Sequence, residues 1–344
     1  MRHVSTPAHE ELRATARAFL AEASPPAEVR RLMETDAGYD PSVWRAIVAA
    51  GWLELPFPDL AVVLEEAGAA LLGAPLLGTV LARAAGAEGE RESVLALAVA
   101  EDSGRWEADA VTLRATPADG GGGRVWRLDG HKSFVVDGQV ADGLVVAGRT
   151  EAGVALFQVD ADAPGLTQTP LPTVDLTRRQ ARIELTGTPA RRVGDAATLA
   201  RVLDLAATLL AAEQVGGAQR CLDLTVAHAR RRVQFGRPIG SFQAVQHRCA
   251  DMLLEVESAR SASAWATDAA ANRPGELPRA AATAKVTCSE AYAFVATETI
   301  HLHGGLGFTW DHDAHLYFKR AKSSRLLFGD PRFHRERLFR ELGL

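Results

Sequence analysis

Cysteine is scarce. Only Cys221, Cys249 and Cys288 occur in 344 residues, far apart and within helical patterns. This excludes a disulfide scaffold, and buried free thiols in a reducing cytoplasm are expected instead. No cysteine–histidine signature marks a nucleophile. No cysteine or carboxylate arrangement completes a metal site around His301, His303, His312 and His315. Long apolar runs are absent too: no stretch approaches the roughly 18 residues of a membrane span. The opening MRHVSTPAHEELRA lacks the apolar centre of a signal peptide. Positive charge is not in excess, because the formal net charge is -5, so a nucleic-acid partner is not expected. The glycine run at 120–123 lacks the lysine and following helix of a phosphate cradle, which leaves it a loop.

What is present is an ordinary globular composition, 47% hydrophobic and 24% charged, on a chain long enough for two or three domains. Residues 8 to about 92 read as helices, with Leu12, Ala16, Phe19 and Leu20, then Leu60, Val63, Leu64 and Ala67, at helical spacing. Pro25-Pro26 and Pro56-Phe57-Pro58 break the run. From 93 to about 190 the pattern shortens to VTLRA, VWRLDG, SFVVDG, LVVAG, VALFQVD and ARIELTG, separated by turn residues, which predicts a β domain.

Helices return at Asp195, a candidate N-cap for a long helix reaching about Arg232. Ser241 is the candidate cap of the next. On it, Phe242, Val245, Cys249, Met252, Val256 and Ala259 form a seam for a partner helix. ANRPGELP predicts a turn, with Pro278 at the first position of a third long helix running to about His301. Shorter helices are expected from about Asp313 to Leu327 and from Pro331 to Leu342. The predicted fold class is therefore α+β and mainly helical: an N-terminal helical domain (1–92), a middle β domain (93–190) and a C-terminal helical bundle (191–344).

Two segments carry the chemistry. RRRVQFGRPIGSFQ (230–243) sets a guanidinium (Arg232), an aromatic ring (Phe235) and an amide (Gln243) around a tight turn between helices. HGGLGFT (303–309) follows the end of another helix. Arginine forks onto phosphate oxygens, and glycine admits close backbone approach, so the set suits a flat, anionic, nucleotide-like ligand. Other readings stay open: Arg232 as a surface arginine, Phe235 as a core plug, Gly304-Gly305 as a helix C-cap.

These motifs, in the order helices, β domain, bundle, resemble the acyl-CoA dehydrogenase family over most of the chain. GWLELPFPDLAVVLEEAGAALLGAPLLGTVLA is similar to the family's N-terminal helical region, with the loop before Asp59 shortened. LDGHKSFVVDG resembles its strand beside the flavin. RRRVQFGRPIGSFQAVQHRCADM and ETIHLHGGLGFTWDHDAHLYFKRAK resemble the segments that reach the FAD of a neighbouring subunit. The resemblance implies an acyl-CoA thioester substrate and FAD contacts at Arg232, Phe235, Gln243, His301, Gly304 and Gly305.

The family's proton-abstracting glutamate has no counterpart. Phe328 stands at its usual place after the Gly-Gly-x-Gly segment, and Ala206 stands near its alternative place on the long helix. Val136 replaces a hydroxyl residue on the flavin-side strand. No residue of this chain is assigned to catalysis. Positions facing the chain's own flavin site are thus eroded, while those reaching a neighbour are kept. The resemblance implies a base-lacking subunit of the α2β2, steroid-catabolic type, completing the FAD site of a homologous catalytic partner. The alternatives are a homo-oligomeric enzyme with a relocated base, at Asp330 or Glu213, and a flavin-free scaffold. For Glu213 an interhelix salt bridge is the preferred reading.

Overall fold

A computed structural model describes residues 6–118 and 125–343; the glycine loop at 120–123 lies outside them. The fold is α+β and predominantly helical, with helices first, a sheet next and a helical bundle last. Contacts divide the chain into two compact units. One comprises Met1–Arg30, Leu55–Leu72 and Ala207–Leu344, and the other Arg31–Glu54 and Gly73–Ala206.

The second unit is built on a seven-stranded sheet: β1 (Leu95–Ala98), β2 (Arg114–Pro117), β3 (Trp126–Val136), β4 (Gly143–Thr150), β5 (Gly153–Asp160), β6 (Leu166–Pro170) and β7 (Gln180–Asp195). β4 pairs with β2, β2 with β3, β3 with β7 and β7 with β5, and β5 returns to β4, so five strands close a ring; β1 adds to β4 and β6 to β7. VWRLDG and SFVVDG form one strand rather than two. A register shift between Lys132 and Val135 of β3 inserts an extra residue against β7, and Phe134 has a positive φ of 60° there.

Inside this unit lies an ion pair that no sequence pattern announced. Lys132 Nζ donates to Glu101 Oε1 at 2.9 Å and to the Val99 carbonyl at 2.9 Å. Both side chains are buried. Burial pushes the Glu101 carboxyl up, but the Lys132 ammonium and the Thr112 hydroxyl outweigh it and hold it at about 2.

In the first unit, α1 (Pro7–Ala23) packs on α4 (Phe57–Ala69), α4 on the long helices α6 (Ala196–Arg231, from Ala207 onward) and α7 (Gln243–Asn272), α7 on α8 (Leu277–His303), and both α9 (Ala314–Leu326) and α10 (Pro331–Glu341) on α8. Asp195 caps α6 by accepting from the Thr198 N–H at 2.8 Å, and α8 begins with Pro278 in its first turn. Ser241 is not the cap of α7. Phe242 holds that position, and the Ser241 hydroxyl donates to the Pro238 carbonyl. The seam on α7 is buried only from Met252 onward; Phe242, Val245 and Cys249 stay half-buried.

α4 and α6 meet backbone to backbone. A Cβ on Gly68 would fall 2.0 Å from the Glu213 carbonyl oxygen, and one on Gly216 would fall 1.7 Å from that of Glu65. Only glycine permits this approach. Around it, Arg13 pairs with Glu65 and Glu66, Arg17 with Glu66, and Arg260 with Glu65. These groups border a cavity of about 870 Å³ floored by Leu20, Leu316 and Tyr317.

Candidate functional site: one end of the helical bundle

The residues singled out in the two motifs fall at one end of the first unit, where α6 and α8 finish and α7 starts. α6 ends at Arg231 because the chain turns back in a two-stranded hairpin, Val233–Gln234 against Arg237–Pro238. Its base is fixed by main-chain bonds: Arg232 N–H donates to the His228 carbonyl, and Ile239 N–H to the Arg232 carbonyl, each at 2.8 Å. The tip is Phe235-Gly236, both with positive φ, 53° and 74°. The unusual backbone at Phe235 pushes its ring outward, and the residue is 91% exposed. It is therefore not a core plug. Its nearest aromatic neighbour is Phe242, edge-on at 6.2 Å, whose ring also carries the Arg237 guanidinium at 4.1 Å. Arg232 and Gln243 are exposed as well.

The other motif caps α8. Gly304 adopts φ 61°, and its N–H donates to the His301 carbonyl, so the C-cap reading of this glycine holds. Gly305 is different. Its φ is not positive, and a Cβ there would meet nothing within 4 Å. The chain's own fold does not require glycine at Gly305. His301 stands exposed beside them, with Nδ1 3.5 Å from Glu298, whose other oxygen lies 3.2 Å from Arg248 of α7. The arrangement offers an exposed guanidinium, an exposed ring, an amide and open glycine backbone. That is what an anionic, flat ligand approaching from outside would need.

The position expected for a general base is built differently. Phe328 is 4% exposed and, like Gly329, has positive φ (57° and 98°). The residues around it are clamped from both sides. Lys285, fully buried on α8, donates to the Ser324 and Arg325 carbonyls at 3.0 and 3.1 Å, and His334 Nε2 donates to the Phe328 carbonyl at 2.9 Å. Burial pushes the Lys285 ammonium down to about 7. Neither buried lysine, Lys132 or Lys285, was singled out from sequence, because a lysine inside an amphipathic pattern reads as a solvated position.

Neither substitute base is free. Asp330 caps α10 by accepting from the Phe333 N–H at 2.8 Å. Glu213 is buried and paired with Arg320 at 2.8 Å, the interhelix bridge expected for it. Ala206 and Val136 are buried apolar positions in the second unit.

Comparison with known proteins identifies the class. The acyl-CoA dehydrogenase C-terminal domain family matches residues 195–343. The whole chain belongs to the acyl-CoA dehydrogenase family. It is 40% identical to the acyl-CoA dehydrogenase IpdE2 of Mycolicibacterium smegmatis, over 97% of this chain and 98% of that one. Among solved structures it is similar to the ChsE4-ChsE5 complex of Mycobacterium tuberculosis, at 30% identity and a TM-score of 0.89, covering 100% and 99% of the two chains. It is also similar to the Tcur3481-Tcur3483 steroid ACAD G363A variant, at 32% identity and a TM-score of 0.88, covering 98% of each.

Proposed function

We propose that this chain is a subunit of an FAD-dependent acyl-CoA dehydrogenase that leaves proton abstraction to a homologous partner and completes that partner's FAD site. The observation that carries the reading is Phe328. The base position holds a buried phenylalanine, which cannot take the α-proton of a thioester, and the two candidate carboxylates already have partners, Asp330 in the α10 cap and Glu213 in its pair with Arg320. A positioned base is worth about 10²–10⁴-fold.

The six residues at the bundle end fit the role of reaching a neighbour. Arg232 would fork onto pyrophosphate oxygens, Phe235 would lie against a flat ring, and Gln243 and His301 would supply polar contacts. Gly304 and Gly305 would let backbone come close. The cofactor, when bound, supplies the hydride acceptor; this chain's part is to bind and orient. The assembly proposed is α2β2, in the cytoplasm. The likeness to a complex of two different proteins, ChsE4 and ChsE5, supports two kinds of subunit, and the likeness to a steroid ACAD supports a steroid-derived acyl-CoA thioester.

The test is co-expression with a homologous acyl-CoA dehydrogenase encoded beside this chain. A stable hetero-oligomer carrying FAD, with the lone chain retaining little, is expected. A homo-oligomer that keeps a full complement of FAD without any partner would refute the reading.

A further inference from the structure

Three imidazoles stack at the same end of the bundle. The His228 and His303 rings lie 4.2 Å apart, centroid to centroid and tilted by 32°, and the His303 and His312 rings lie 4.4 Å apart, tilted by 49°. They come from three helix ends. His228 is in the last turn of α6, His303 is the last residue of α8, and His312 precedes α9. The central ring is buried and the outer two are half-buried. No cluster of three potential metal ligands occurs among the described residues, and the rings meet in tilted contacts.

Hydrogen bonds fix two of the tautomers. His303 Nδ1 lies 2.7 Å from the Thr299 carbonyl and must donate to it. His312 Nδ1 accepts from the Ala314 N–H at 3.1 Å, so its proton sits on Nε2. Burial pushes the His303 imidazole down to about 4, and lowers His228 and His312 as well. The charged groups facing the stack are Arg231 and Arg232 beside His228, and Asp313 and Arg30 beside His312. Three neutral rings can stack; a protonated His303 would meet two further imidazoles, and a protonated His312 would lose the lone pair that holds Ala314.

One outer ring, His228, and the central ring, His303, each adjoin a motif. The His228 carbonyl anchors Arg232 at the base of the hairpin, and His303 immediately precedes Gly304-Gly305. We propose that the His228–His303–His312 stack positions the Arg232 hairpin against the Gly304-Gly305 turn, so that both meet one adenine dinucleotide as a single face. The second half of this inference rests on the reading given under Proposed function; the first half does not.

The test measures amide exchange of residues 232–242 in the full-length chain, as protection factors, with α8 from Leu277 to Ile300 as the folding control. His303→Ala should lower protection of the hairpin roughly three- to tenfold, the scale of lost ring contacts, and leave the control unchanged. His303→Phe, which keeps a flat ring, should restore it. From pH 6.5 towards 4 the wild type should lose hairpin protection, because an imidazole lowered on folding stabilises above its ordinary range and stops doing so as pH falls through its folded value. The His303→Phe chain should lose less. Unchanged hairpin protection in His303→Ala would overturn the positioning role. FAD retention in the assembled complex separates the two halves. If Arg232→Ala releases FAD and His303→Ala does not, the single-face inference is wrong. If neither releases FAD while the hairpin loosens, positioning stands and the FAD reading falls.

Discussion

Arg320 donates to Glu213 at 2.8 Å, and both side chains are buried, at 2% and 6% exposure. A carboxylate out of water is tolerable only with such a partner. Glu213 is thereby tied into a buried pair between two helices. Arg320→Met removes that guanidinium and should destabilise the first unit by roughly 3–5 kcal/mol, whereas Arg320→Met with Glu213→Leu should recover much of the loss. Urea unfolding of the three proteins checks this.

The α4–α6 crossing and the Gly-Gly turn give opposite expectations for the same substitution. Gly216→Ala drives a methyl into the Glu65 carbonyl. It should cost about 1–3 kcal/mol or more, as overpacking does, and lower Tm. Gly305→Ala meets nothing within the chain, so Tm should hold, while on the proposed role FAD retention in the assembled complex should fall, the methyl standing on the face proposed to receive the ligand. Thermal melts and flavin absorbance on both variants separate the effects. Loss of FAD from neither variant would remove Gly305 from the ligand face.

Much of the fold was legible where side-chain chemistry acts locally. Gly194-Asp195 gave the start of α6, Pro278 that of α8, and the turn residues gave most of the strands. The misses have physical reasons. β1, Leu95–Ala98, is buried at all four positions, so it shows no alternation, and its leucines and alanines favour helix. β6 is a short polar strand at the sheet's edge ending in Pro170. Ser241 looked like a cap because local sequence does not reveal that the Pro238 carbonyl takes its hydroxyl. Of the candidate site, the six residues could be named from motifs. The stack joining His228 to His303 spans 75 positions, and the Lys132–Glu101 pair 31. No periodicity encodes such meetings; only tertiary packing makes them.

The Lys132–Glu101 pair sets a pH dependence. The folded Glu101 carboxyl lies at about 2, below its ordinary 4.5. It therefore contributes stability that is fully present above 4.5 and is lost as pH falls through about 2. Carbon-detected NMR titration of Glu101 should show the low midpoint. In Lys132→Met the midpoint should rise, because burial is then opposed only by the hydrogen bonds from Thr112 and Leu113.

Arg232→Ala tests the hairpin as a ligand arm. The bonds at its base are main-chain bonds and survive truncation, so fold and assembly should persist. Loss of one member of a charge-assisted pair at an interface costs about 2–5 kcal/mol, and FAD retention should fall accordingly. Arg232→Lys should be intermediate, since it keeps the charge without the fork. Flavin content after desalting is the measurement.

Turnover settles the division of labour most directly. Acyl-CoA thioesters, steroid-derived ones included, are offered to the lone chain and to the chain with its homologous partner in a dye-coupled dehydrogenation assay. Negligible activity alone and robust activity in the complex are expected, since Phe328 cannot take a proton. Robust turnover by the lone chain, abolished by Asp330→Asn or Glu213→Gln, would contradict the partner-dependent role and establish a relocated base.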